Sequence, residues 1–255
     1  MSPRVHLEIV VETIAGLRAA VNGGADRIEL VSSLGVGGVT PSLGLMQMAA
    51  GCGVPVRAMI RPRAGDFTYT PEDVILMMRD IESARQCGMA GVVFGANLQS
   101  GELDEGALIA LTLHAQNLGL DAAIHRSFDL APYPLRAIDL CVSLGMRTIL
   151  TSGGPRYAKD GVVGLTDYCD FADGRIEIMA GSGVTADNVA PILKAGVGWV
   201  HASCQTATLA SIQPPEDRLA ALGGLTKARN DTDTAQVASL RVALKDLSVS
   251  RMTVQ

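Results

Sequence analysis

At 255 residues, with 48% apolar side chains, the chain is long enough for one large α/β domain or two small ones, with a sizeable core in either case. A formal net charge of -5 argues against nucleic acid as the main partner, because the basic clusters, such as residues 227–229, are short and followed by acids. No apolar window is long enough to span a membrane, the Met1-Ser2-Pro3-Arg4 start lacks a signal-peptide core, and the scattered Cys52, Cys87, Cys141, Cys169 and Cys204 form no C-x-x-C pair, so the expectation is a cytoplasmic protein with reduced thiols and no membrane partner.

Strand one is expected at residues 6–10. A recurring phrase then begins: a helix, a glycine, and a short apolar run. Gly24-Ala25-Asp26-Arg27-Ile28 is the first copy. Such a glycine suits the left-handed end of a helix that turns into a buried strand. The glycine-rich stretch 31–39 follows strand two and is suited to a lid or to a solvated connection. Thr40-Pro41 reads as a helix start, and Pro55 introduces strand three at 56–60. Thr70-Pro71-Glu72-Asp73 places an N-cap threonine and a first-turn proline before a helix over 74–81. Gly88, Gly119 and Gly145 open the phrases of strands four, five and six. A short sixth helix is read at 165–171, strand seven at 176–180 and a helix start at Thr185-Ala186-Asp187. Gly196 opens strand eight, and a last helix covers 239–247. Eight strands joined by helical crossovers predict a single (β/α)8 TIM-like barrel over residues 1–255, with its core at about 5–247. A doubly wound sheet is the alternative, but no glycine-rich dinucleotide turn follows the first strand.

The alternation along these strands is unusual. Leu7 and Ile9 share a face, and so do His6 and Glu8; Ile28 and Leu30 oppose Arg27 and Glu29; Ala58 and Ile60 oppose Arg57, Met59 and Arg61. The apolar face must meet the helices, so the polar face lines the interior. Buried ions need partners, and Arg57 and Glu177 suit either a structural salt-bridge network or a functional one. Barrel active sites form at strand C-terminal ends, which makes Glu8, Glu29 and His125 acid/base candidates. Arg61 and Arg63, flanking Pro62, are suited to clamp an anion. Arg126 and Asp129 follow His125, while Ser152, Gly153, Gly181 and Gly183 sit in turns of the kind that hold phosphate. His201 and Ser203 close strand eight. These thirteen groups point to a small anionic metabolite, phosphorylated or sugar-like, and to isomerase- or lyase-type chemistry. A non-catalytic barrel with a structural polar core is the competing expectation.

Several motifs resemble the CutC family. They are Leu7-Glu8-Ile9; Asn22 to Leu30 with its Gly-Gly-Ala-Asp-Arg-Ile-Glu centre; Gly37-Gly38-Val39-Thr40-Pro41-Ser42; Ile60-Arg61-Pro62-Arg63-Ala64-Gly65-Asp66-Phe67; His125-Arg126-Ser127-Phe128-Asp129; Leu150-Thr151-Ser152-Gly153; and Met179 to Val184. The resemblance implies a TIM-like barrel, a cytoplasmic location, a homo-oligomer (dimer or tetramer) and a role in copper homeostasis. It also implies cysteines at positions that are Val10, Val11 and Val31 here. Soft thiolates favour Cu(I), so no metal site is assigned; His201 and Cys204 are the remaining pair for a copper-handling alternative.

Overall fold

The computed structural model describes residues 4–209, Arg218 and 228–250. Eight parallel strands close into a barrel in chain order: β1 (His6–Val11), β2 (Arg27–Leu30), β3 (Val56–Met59), β4 (Gly91–Phe94), β5 (Asp121–Ile124), β6 (Thr148–Thr151), β7 (Glu177–Ala180) and β8 (Trp199–Ala202). The crossovers carry α1 (Ile14–Asn22), α2 (Leu43–Ala49), α3 (Pro71–Gln86), α4 (Glu105–Asn117), α5 (Pro134–Ser143), α6 (Val162–Ala172) and α7 (Val189–Lys194). The architecture is a TIM-like barrel. No helix among the described residues is long and apolar enough to cross a membrane.

The alternation in the strands decides what faces what. Leu7, Ile9, Ile28, Leu30, Ala58, Ile60, Ile124 and Ile149 turn outward and are buried under the helices. Each fully buried aliphatic side chain contributes about 1.5–3 kcal/mol. Val10, Val31 and Met59 face the other way and form a separate small apolar cluster. The helix starts follow local chemistry. Thr70 and Asp73 make a reciprocal capping box, with Pro71 in the first turn, at the head of α3.

Four elements differ from the sequence expectation. α2 starts after Ser42, whose hydroxyl accepts from the Leu45 amide, because Thr40 instead accepts from the Arg61 amide. α6 is longer than expected at Val162–Ala172. α7 starts at Val189, because Thr185 belongs to a turn in which its amide donates to Asn188. After β8 comes an antiparallel ribbon, β9 (Gln205–Leu209) and β10 (Ala228–Thr232), before the long terminal helix α8 (Thr234–Ser250). The sequence of β10, Ala-Arg-Asn-Asp-Thr, is poor in strand formers. Pairing with β9 supplies what its composition does not. Arg241 on α8 holds Asp26 (2.9 Å) and the Val5 carbonyl (3.3 Å), locking the helix onto the start of the barrel.

Candidate active site

The interior fills from the bottom with paired ions. Arg57 donates to Thr148 Oγ1 (3.0 Å), and Thr148 in turn donates to Glu177 (2.7 Å). Arg27 lies over the Trp199 ring at 3.6 Å, reaches Glu177 at 3.8 Å and donates to the Met179 sulfur at 3.6 Å. Its Nε donates to Glu8. Arg57 and Glu177 are thus partners in a network that supports the site from below.

Above them lies a triad. The parallel register sets Glu8 beside both Arg27 and His201, and Glu29 beside Arg57. His201 Nδ1 is 2.9 Å from Glu8 and 3.3 Å from Glu29. Burial alone would raise the Glu8 carboxyl, but the Arg27 charge, the His201 hydrogen bond and Arg57 hold it down at about 2. Glu29 is different. Burial pushes it up, His201 opposes this, and the nearby Glu8 charge helps, leaving it at about 7. Its Oε1 is buried without a partner. Burial would lower the His201 pKa, but the charge of Glu29 and the hydrogen bond to Glu8 outweigh it and raise the value. Gly181 makes room here, since a Cβ on it would stand 2.5 Å from Leu150 and 3.3 Å from His201.

This triad floors a cavity of about 320 Å³ at the strand C-terminal ends. Glu29 and His201 line it, whereas Glu8 lies beneath. One wall is apolar: Val10, Val31, Leu34, Val36 and Met59. The rest carries His125, Arg126, Ser182, Gly183 and Ser203, together with the apolar Leu150, Ala202 and Phe67, whose ring lies 4.7 Å from that of His125.

His125 is buried, and its Nδ1 accepts from the Ser127 amide at 3.1 Å. In the neutral ring the proton therefore sits on Nε2, which has no partner. Burial, aided by the Arg61 charge, lowers its pKa to about 3, so the ring is uncharged at neutral pH and presents a donor. Arg126 is braced by Asp129 (2.8 Å) and by Ser152 (2.9 Å), leaving Nη1 unengaged among the described residues. Asp129 also accepts from Thr151 and from the Ser152 amide, so Asp129 and Ser152 position Arg126. The Gly153 amide donates to Thr151 Oγ1 (3.0 Å) and the Gly181 amide to the Thr151 carbonyl (3.0 Å), so neither is available to an anion. By contrast, the Ser182 and Gly183 amides donate to no group among the described residues.

The two arginines after β3 part ways. Arg61 reaches the cavity, but its guanidinium donates to the carbonyls of Val36 (2.9 Å), Gly38 (2.8 Å) and Gly65 (2.8 Å). It staples the 31–39 loop over the mouth, and the Leu34 amide is held by Glu12 (2.8 Å). Arg63 lies outside the cavity, tied to Asp66 (3.1 Å) and the Thr68 carbonyl (2.6 Å). Two positions escaped the sequence reading. A Cβ on Gly95 would stand 2.0 Å from the Ser127 hydroxyl and 2.7 Å from the His125 ring, and Asn97 Nδ2 holds the Ser127 carbonyl at 3.2 Å. A small residue and an amide just past β4 was the available signal.

The model of the CutC family matches residues 5–206. The chain belongs to the CutC family. A CutC family protein of Agrobacterium fabrum is 48% identical over 239 residues, 93% of each chain. One of Rhizobium meliloti is 46% identical over 243 residues, 94% of this chain and 96% of the relative. The solved CutC structure from Streptococcus agalactiae, whose name assigns it to copper homeostasis, aligns with a TM-score of 0.74 at 31% identity, covering 78% of this chain and 98% of that one. The family match ends within β9, so α8 lies outside it.

Proposed function

We infer that the mouth is a proton-transfer site acting on a small anionic metabolite. The observation that carries this reading is the Glu8–His201–Glu29 contact in the floor of a ligand-sized cavity, with one carboxyl held ionised and the other shifted to about 7. Carboxyls pushed apart by their surroundings divide into an orienting group and a proton carrier. Glu8, fixed by Arg27, is a positioning residue. Glu29 and His201 share the exchangeable proton, and Glu29 Oε1 is the carboxylate atom without a partner. Neutral His125 donates Nε2–H to an oxygen that gains charge, and Arg126 holds the anionic group. These roles fit proton abstraction beside a carbonyl, the first step of isomerase- or lyase-type chemistry.

A copper role has to be tested against the donors. The Cys204 thiol is pushed up to about 12 by burial and by Asp233, and it lies outside the cavity wall. The Met179 sulfur already accepts from Arg27. The ligand atoms of Glu8, Glu29 and His201 fall within 4.8 Å of one another, but two of the three are hard carboxylates, the single imidazole is borderline, and Arg27 already neutralises Glu8. This set does not fit a soft Cu(I) centre.

A thermal-shift screen of metabolites against the wild type and Glu29→Gln tests the reading, followed by deuterium exchange from solvent into each hit. Exchange that disappears in Glu29→Gln supports it. Hits that never exchange a carbon-bound proton overturn it.

A further inference from the structure

The hydrogen-bond donors of the cavity and its Val10–Val31–Met59 cluster come from different strands, and this arrangement points to the ligand class. We propose that the mouth takes a short-chain aliphatic 2-oxo acid: carboxylate against Arg126 and the Ser182–Gly183 amides, carbonyl oxygen against His125, and a hydrocarbon tail against Val10, Val31 and Met59. The proposal rests on the proton-transfer reading above and narrows its substrate.

Size comes first. At about 30 Å³ for each water-sized group, a cavity of about 320 Å³ holds roughly ten non-hydrogen atoms. The apolar wall comes second. Val10, Val31 and Met59 form a buried cluster of their own, detached from the core under the helices, with Leu34 packed on it. They sit inside the barrel among Glu29, Arg57 and His201, where a polar lining would otherwise continue. A sugar would leave hydroxyl groups unpaired against these valines, at the cost of their desolvation. A methyl or isopropyl group gains from the same contact.

The donor wall comes third. His125 Nε2 is a buried donor without a partner, in a ring that is 4% exposed. The Ser182 amide is presented by a backbone held at φ 85, and Gly183 follows at φ 66. Neither amide donates to a group among the described residues, and both residues line the cavity, so both N–H groups remain for a carboxylate. Strain at a non-glycine residue is retained where the surrounding structure fixes it, commonly at ligand sites. Here the Ser182 hydroxyl is fixed on the Arg156 carbonyl at 2.7 Å.

The step balances without an oxidant or a cofactor. Glu29 Oε1 takes the proton from the carbon beside the carbonyl, so a C–H bond breaks and an O–H bond forms. The electron pair moves onto the carbonyl oxygen, where His125 Nε2–H receives it as a hydrogen bond. Return of the proton completes the exchange.

The test is calorimetric titration of the full chain with pyruvate, 2-oxobutyrate, 2-oxovalerate and 2-oxoisocaproate, beside gluconate and ribose 5-phosphate. Binding should tighten about fourfold per added methylene until the cavity fills, and the sugar acid and the sugar phosphate should bind at least tenfold more weakly than 2-oxovalerate. Val31→Thr, nearly isosteric, should abolish the chain-length trend, while Arg126→Ala should weaken every acid alike. Circular dichroism melting confirms that both variants fold. Equal or tighter binding of gluconate or ribose 5-phosphate, a flat chain-length series, or no binding of any 2-oxo acid overturns the proposal. Chain-length-dependent binding with no solvent deuterium entering the bound acid leaves the ligand class standing and overturns the proton-transfer reading instead.

Discussion

In the lower barrel, Arg57 reaches Thr148 and Asp121, and Arg27 reaches Glu8, Glu177 and Met179. At the mouth, one layer higher, Glu29 Oε1 and His125 Nε2 are buried and meet nothing. Both layers bury ionisable side chains, but only the lower one gives all of their buried atoms partners. A buried polar group without a partner costs on the order of 1–3 kcal/mol, so the mouth holds free energy that a ligand can recover, while the lower layers hold none. Unmet hydrogen bonds single out Glu29 and His125 at the mouth where charge alone does not, although the stapling Arg61 also keeps an unpartnered Nε.

The comparison can be broken at four places, with effects that decline in size. Glu8→Gln strips Arg27 and His201 of their common anion and should cost about 3–5 kcal/mol in denaturant unfolding. A cost as small as that of a surface substitution would show that the lower network is not structural. Glu29→Gln acts oppositely. The folded-state pKa of Glu29 is raised above its ordinary 4.5, so its contribution to stability falls as pH climbs from about 4.5 to about 7. Glu8, depressed to about 2, contributes above 4.5 and loses that contribution as pH drops toward 2. Stability curves should therefore show Glu29→Gln gaining about 1–3 kcal/mol on the wild type at pH 8 and little at pH 4. Arg61→Lys surrenders the three-carbonyl staple and should cost about 1–2 kcal/mol, with faster amide exchange across residues 34–38. Uniform exchange across the molecule would deny the staple its local role. Asp173→Gly, at the φ 43 end of α6 far from the mouth, should gain about 0.5 kcal/mol in thermal melting and leave ligand affinity unchanged.

The barrel was legible because its signals repeat. Each glycine-to-apolar phrase marked a helix end and a strand start, and alternation told which face each strand turned inward. That same alternation brought Glu8, Glu29 and His201 to one interior. It could not say which carboxyl Arg27 would take, because period-2 patterning fixes a face and not a partner. Arg63 shows the limit in loops: two residues beyond Arg61, it turns to Asp66 and Thr68 rather than the cavity. Asp129 and Ser152 look like ligand contacts in sequence, yet they spend their hydrogen bonds bracing Arg126. The β9–β10 ribbon was hidden for another reason. Its strands are separated by residues 210–227, and only their pairing makes the polar β10 a strand.

The accepted bond at His125 Nδ1 has a practical consequence. It fixes one tautomer in a ring that stays uncharged above a pKa of about 3. The two ring nitrogens should give well-separated 15N resonances that hold still from pH 5 to pH 9. Any molecule that places an oxygen on Nε2–H would displace that one signal, so the protein carries its own spectroscopic beacon for an occupied mouth.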